Sequence, residues 1–347
     1  MKRYFNELSL AWCFIALPVF LCILTFAGCG FNHTVSGEEG VTKEIFAMDT
    51  YMSLTAYGDN AAEAVQKAAD KINELDRMLS TGNEKSEVSV LNREGVSRFS
   101  EDGMNILEKS LEISRMTNGA FNPAIYPVME LWGFPSENYR VPSEDEIKNA
   151  LAHINIQGIG VSGSEVTAAD GMKLDFGGIA KGYTSSAITQ IFGQCGVTSG
   201  IVNLGGNVQV LGTKPDGSLW RTAVRHPQND SYIGVVNVQD KAVITSGGYE
   251  RFFEEDGIRY HHIIDPSTGA PANSGLSSVS IISGDGALAD GLSTALFIMG
   301  EDRAVSFWRE HSGLFDFIIM DDEGSIKVTE GIEDAFESEF DYEILRK

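Results

Sequence analysis

Residues 200–245 form a succession of short β-forming segments, at 200–211, 220–225, 232–238 and 242–245, separated by Gly, Pro, Asn and Asp. Helical patterns stand in blocks before and after this run instead of alternating with it strand by strand. Such an arrangement favours an α+β fold, with mixed or antiparallel sheets and flanking helices, over a doubly wound parallel sheet. Hydrophobic residues at 43% and charged residues at 22% are ordinary globular values, which sets aside a disordered or fibrous class.

Residues 45–57 read as a strand or hairpin arm, with order beginning near Glu44. Asp59-Asn60 then cap a helix whose apolar stripe is Val65, Ala68, Ile72, Leu75 and Leu79. A second helix follows Ser100-Glu101-Asp102 and stops at Asn118-Gly119, a C-terminal signal. Residues 120–134 read as an ordered loop, and Ser143 as the N-cap of a short helix. Further helices are expected at 179–194, 286–299 and 302–311, a strand at 315–320, and a weakly packed closing helix in the acidic tail 330–343.

The formal net charge is −23, and removal of residues 1–28, which carry Lys2, Arg3 and Glu7, leaves −24. Nucleic acid is therefore disfavoured as a partner, and an anionic substrate must meet local cations or a metal. Residues 1–28 open on Lys2 and Arg3, continue through an apolar run at 10–26 and close on Ala27-Gly28 before Cys29. That is the layout of an export signal, and the small residues before the cysteine resemble a bacterial lipoprotein processing site. The domain plan is a signal peptide at 1–28, a tether at 29–43 with Cys29 as its lipidated first residue, and a body at 44–347. An uncleaved transmembrane anchor is the alternative, the run of about 17 residues being at the short edge of a bilayer span. On either reading the body sits at the cell membrane, outside the cytoplasm. Cys195 is then left without a disulfide partner and reads as a small buried hydrophobe, and no zinc-like Cys/His spacing is present.

Two clusters carry chemistry. Gly177-Gly178 removes side chains where backbone amides must approach an anion, the helix that follows adds its positive end, and Lys181 supplies a cation on the first turn. Glycine spacing excludes both the Walker loop and the dinucleotide fingerprint. Farther on, Asp290 and Thr294 stand at i and i+4 of an expected helix, placing two hard oxygens on one face, a pair that suits Mg²⁺. His262 falls between a strand and the Asp265-Pro266-Ser267-Thr268-Gly269 turn, where an imidazole can accept a hydroxyl proton; Asp265 itself is turn chemistry. Together the clusters describe a phosphoryl-transfer site.

Several blocks in this order resemble the ApbE-type family of FAD:protein FMN transferases, also described as thiamine-biosynthesis lipoproteins. They are Ala47-Met48-Asp49-Thr50, Leu79-Ser80-Thr81 with Ser86-Glu87-Val88 and Leu91-Asn92, Gly119-Ala120-Phe121-Asn122-Pro123 and Leu131-Trp132-Gly133-Phe134. Residues 174–183, Asn203-Leu204-Gly205-Gly206-Asn207, Thr245-Ser246-Gly247, residues 262–269 and Ala289-Asp290 complete the set. The resemblance implies an α+β body related to the T-fold, and transfer of FMN from FAD to a Thr or Ser hydroxyl of an acceptor protein with release of AMP. It implies that Met48, Ala120, Phe121, Asn122, Asp175, Lys181 and His262 line the FAD site. Mg²⁺ would be held by the Gly178 carbonyl, Asp290 and Thr294. The implied partners are flavoprotein subunits of membrane redox complexes. The chain departs from the family's pattern at Gly82, where Tyr is frequent, at Asn122, where Asp is usual, and at Asp49, where Gly is usual. Two other readings use the same residues: a Mg²⁺-dependent FAD pyrophosphatase giving FMN and AMP, and an exported flavin-binding lipoprotein without catalysis.

Overall fold

The computed structural model describes residues 39–347. The signal peptide, Cys29 and the first ten residues of the expected tether lie outside the described residues. The tether's last residues belong to the body, because β1 (Val41–Ala47) already pairs with β2 (Thr50–Tyr57) from Val41 onward. Met48 and Asp49 form the turn between them, both at positive φ (48° and 58°).

The rest of the chain runs α1 (Ala61–Leu79), α2 (Glu87–Glu94), β3 (Val96–Arg98), α3 (Glu101–Met116), α4 (Tyr126–Trp132), α5 (Glu144–Leu151), β4 (Ile159–Ser162), β5 (Glu165–Ala168) and α6 (Ala180–Gln194). Strands then dominate: β6 (Ser199–Leu204), β7 (Asn207–Leu211), β8 (Trp220–Arg225), β9 (Tyr232–Val238), β10 (Ala242–Gly247), β11 (Phe252–Glu255), β12 (Ile258–His261) and β13 (Leu276–Ser283). After α7 (Gly286–Met299) and α8 (Glu301–His311) come β14 (Asp316–Asp321), β15 (Ile326–Thr329), β16 (Phe336–Glu337) and β17 (Tyr342–Leu345). The main sheet has nine strands in the order β1-β2-β6-β7-β10-β13-β14-β15-β17, antiparallel except for the β15–β17 pair. Smaller sheets are β16-β9-β8, β3-β5-β4 and the ribbon β11-β12, all antiparallel. This is the α+β class.

The main sheet is covered on both faces, and the two-residue side-chain period of its strands shows how. Ala242 and Ile244 on β10, Val279 and Ile281 on β13, and Phe317 and Ile319 on β14 join the larger core with the helices. Their neighbours Val243, Ile282, Ile318 and Met320 face the second sheet, packing with Trp220, Val236, Val238 and Phe336. α7 lies inside this arrangement and is buried on nearly every side, with Leu292, Ala295 and Leu296 fully buried. Truncating Leu292 to Ala would cost about 2–5 kcal/mol, the usual penalty for a cavity in a packed core.

Several expectations are corrected. Residues 120–134 contain α4, which has Pro127 in its first turn and ends on Gly133 at φ 81°. Asn60 precedes α1 without a capping bond; its side chain donates instead to the Cys195 carbonyl. Residues 200–211 are two strands joined by Gly205-Gly206. Beyond a single 3-10 turn at Glu330–Ile332 the tail is not helical: Phe336 enters the core and β17 adds to the sheet edge beside β15. Ser143 does cap α5, in a reciprocal capping box with Glu146.

Candidate active site

Three segments distant in sequence meet where α6 begins. Asp175 is fixed from both sides: its backbone N–H donates to the Pro123 carbonyl at 2.8 Å, and its side chain accepts from the Gly177 amide at 3.0 Å. Gly178 follows with no side chain, and a Cβ there would lie 3.2 Å from the Phe121 ring and 3.7 Å from Thr294 Oγ1. The glycine therefore brings backbone against both the Ala120-Phe121-Asn122 segment and α7. Two turns of helix pack as closely at Gly182, whose added Cβ would sit 2.1 Å from the Gly286 carbonyl oxygen and 2.5 Å from Asp290 Cβ.

A cavity of about 200 Å³ opens at this junction. Ala120, Phe121, Asn122, Asp175, Gly178, Lys181, His262, Asp290 and Thr294, all expected from the sequence, line it together. Met48 stands apart from that lining, in the β1–β2 turn, with its backbone N–H donating to Asp76 Oδ1 and its sulfur 3.9 Å from Thr184 Oγ1 on α6. Glu250, Arg251 and Asn207 line the cavity as well. Glu250 and Arg251 escaped the sequence reading, although they lie between two polar blocks it singled out; a charged pair after Gly247-Gly248 was the available signal.

Hydrogen bonds fix most of these groups. Asp290, 5% exposed, accepts from the Gly182 amide at 2.8 Å and from Asn207 Nδ2 at 3.0 Å. Thr294 Oγ1 is 3.3 Å from Ser246 Oγ, which in turn is 2.7 Å from Ser293 Oγ. Asn122 donates through Nδ2 to the Ile154 carbonyl and accepts at Oδ1 from the Ala124 amide. A carboxylate could not make the first of those bonds, which gives the departure at Asn122 a local structural reason. Trp132 Nε1 donates to the Gly269 carbonyl at 2.7 Å, joining α4 to the turn that follows His262.

His262 stands just beyond β12, and its Nδ1 is 3.1 Å from the Arg251 carbonyl. A carbonyl oxygen only accepts, so Nδ1 carries the proton and Nε2 keeps its lone pair. Burial pushes the imidazole down to about 3, and the neighbouring Arg251, His261 and Lys181 push the same way. Burial raises the Asp175 carboxyl, opposed by the Gly177 amide, Arg251 and Lys181. Glu250 is raised too, by burial first and then Asp290, against the pull of Lys181. The cavity thus presents an imidazole with a free Nε2, the side chains of Lys181 and Arg251, and the carboxyl groups of Asp175, Glu250 and Asp290.

Among the described residues no group of three or more His, Cys, Asp or Glu side chains is placed to hold a metal. The Gly178, Asp290 and Thr294 corner is of a different kind: one carboxylate, one hydroxyl and one backbone carbonyl, all hard oxygens on residues lining a single cavity. That donor set fits Mg²⁺, which takes few protein ligands and completes its shell with water and phosphate.

The ApbE family model matches residues 48–319. A protein of Treponema pallidum named FAD:protein FMN transferase is 32% identical over 344 residues, covering 92% of this chain and 94% of that one. A Vibrio cholerae protein of the same name is 29% identical, covering 87% and 92%. Among solved structures, the ApbE protein of Thermotoga maritima superposes with a TM-score of 0.81 at 32% identity, covering 86% of this chain and 99% of its own. The flavin transferase ApbE from Vibrio cholerae gives 0.77 at 25% identity with the same coverage. The chain belongs to the ApbE family.

Proposed function

We propose that this protein is an FAD:protein FMN transferase that moves FMN from FAD onto a Thr or Ser hydroxyl of an acceptor flavoprotein, releasing AMP, with Mg²⁺ required. The observation that carries the reading is the meeting of Gly178, Lys181, His262, Asp290 and Thr294 on one cavity although they span three separate segments. Lys181 and Arg251 offer positive charge to the diphosphate of FAD, and the amino end of α6 points positive potential the same way. Gly178, Asp290 and Thr294 would hold Mg²⁺, which when bound neutralises charge building on the diphosphate.

In the transfer, the acceptor oxygen forms a bond to the FMN phosphorus while the bond from that phosphorus to the bridging oxygen breaks, and AMP leaves. The hydroxyl proton goes to His262 Nε2, the ring nitrogen left free by the bond to the Arg251 carbonyl. An imidazole with its pKa near 3 is neutral at pH 7 but a weak base. The diphosphate's charge offsets Lys181 and Arg251, and so raises His262 when FAD is in place. The same proposal puts the mature chain, lipidated at Cys29, on the outer face of the cell membrane, with acceptor subunits of membrane redox complexes as partners. Globomycin, which blocks lipoprotein signal peptidase, should then leave a larger precursor.

The direct test is mass spectrometry of an acceptor protein incubated with the chain, FAD and Mg²⁺. An FMN adduct together with AMP is expected. FMN and AMP without an adduct would make the protein a pyrophosphatase, and unchanged FAD would leave it a flavin carrier.

A further inference from the structure

Asn207 is the first residue of β7, directly after the Gly205-Gly206 turn. Both glycines have positive φ, 64° and 99°, and a Cβ on Gly205 would come within 2.3 Å of Thr50 Oγ1. The tight turn delivers Asn207 into the interior, where it is 4% exposed and lines the cavity. Its amide nitrogen donates to Asp290 Oδ1, while the Gly182 amide donates to Oδ2. Two donors from separate elements, β7 and α6, thus hold one carboxylate that is carried by a third, α7.

That geometry fixes the plane of the carboxylate. Each oxygen still has a lone pair, because a carboxylate offers about four acceptor sites in all. A carboxylate held this way meets a cation without first having to be ordered. We propose that Asn207 is a positioning residue that sets the divalent-ion affinity of the Gly178, Asp290 and Thr294 corner. This rests on the metal reading above and extends it to a residue that would not itself touch the ion. Loss of an outer hydrogen-bond partner of a metal ligand weakens binding by about 10–100-fold.

The test is a Mn²⁺ titration of the full chain, without nucleotide, followed by the EPR signal of free Mn²⁺. Asn207→Ala and the volume-conserving Asn207→Leu both remove the donor, so either one reads the effect if the other fails to fold. Asn203→Ala is the control: Asn203 Oδ1 accepts from the Gly206 amide, so that change loosens the turn but leaves the donor to Asp290 in place. A Kd raised about 10–100-fold in the Asn207 variants, with Asn203→Ala within about twofold of wild type, supports the proposal. Wild-type affinity in the Asn207 variants overturns it, and so does an equal loss in Asn203→Ala, while the metal reading stands in both cases. Absence of Mn²⁺ binding in the wild type, with Asp290→Ala indistinguishable from it, overturns the metal reading and this proposal together.

Discussion

The two walls of the cavity are built differently. On one side Asp290, Thr294, Gly178 and Asn207 belong to, or directly adjoin, packed elements of the main body, and Asp290 and Asn207 are nearly inaccessible. On the other side Glu250, Arg251 and His262 flank the β11-β12 ribbon, a two-stranded sheet of its own. Aromatic contacts support that ribbon: Phe253 stacks on Tyr139 and Tyr260, and Phe134 meets the edge of His262. The wall proposed to hold charge in place is locked by buried hydrogen bonds. The wall proposed to move a proton stands next to a two-stranded ribbon whose side chains are exposed or half-buried. Buried charge needs fixed partners, whereas a proton acceptor needs access to its substrate.

Changes on the locked wall should have the larger consequences. Asp290→Ala is expected to lower adduct formation by on the order of 10³-fold, as loss of several kcal/mol of charge stabilisation implies. Measurable Mg²⁺-stimulated transfer in that variant would break the assignment. On the ribbon side, His262→Gln should reduce transfer by about 10²-fold or more while leaving FAD binding close to wild type. Full transfer would remove His262 from the proton role.

Smaller effects concern stability. Gly182→Ala forces a methyl against the Gly286 backbone and Asp290, and should destabilise by about 1–3 kcal/mol, read as a lower Tm. An unchanged Tm would mean that the α6–α7 contact is loose. His262 gives a pH signature, because its folded pKa of about 3 lies below the ordinary 6.5. The unfolded chain then takes up the proton first, so the contribution is complete above about pH 6.5 and is lost as the pH falls toward 3. Thermal melts should therefore show a flatter acid dependence for His262→Gln than for wild type, and parallel curves would contradict the half-buried, neutral imidazole. The smallest effect is expected for Asn122→Asp, about 1 kcal/mol, from exchanging a donor to the Ile154 carbonyl for a group that cannot donate at neutral pH.

Features governed by local geometry were legible from the chain alone. The i and i+4 spacing of Asp290 and Thr294 survives in α7, the glycine pair leads into α6 next to Lys181, and Ser143 caps α5. Block order gave the α+β class, since patterned segments of the right length leave few alternatives. Elements whose form depends on distant partners were missed. The acidic, aromatic tail suggested a helix, but pairing with β15 and the place of Phe336 in the core made it strand, because tertiary burial outweighs weak helix propensity. α4 was hidden by Pro123 and Pro127, although Pro123 precedes the helix and Pro127 falls in its first turn, where the missing N–H does no harm.

By itself, then, the sequence determined which residue types stand on which turns and faces, and hence that a glycine corner beside Lys181 and a pair of hard oxygens exist. Only the tertiary structure decided that they share one cavity, that Arg251 and Glu250 join them, and that Asn207 and Gly182 grip the two oxygens of Asp290. The physical reason is reach. Spacing along a helix or turn follows from local backbone geometry, whereas the Asn207–Asp290 bond spans 83 residues and forms only once β7, α6 and α7 pack together.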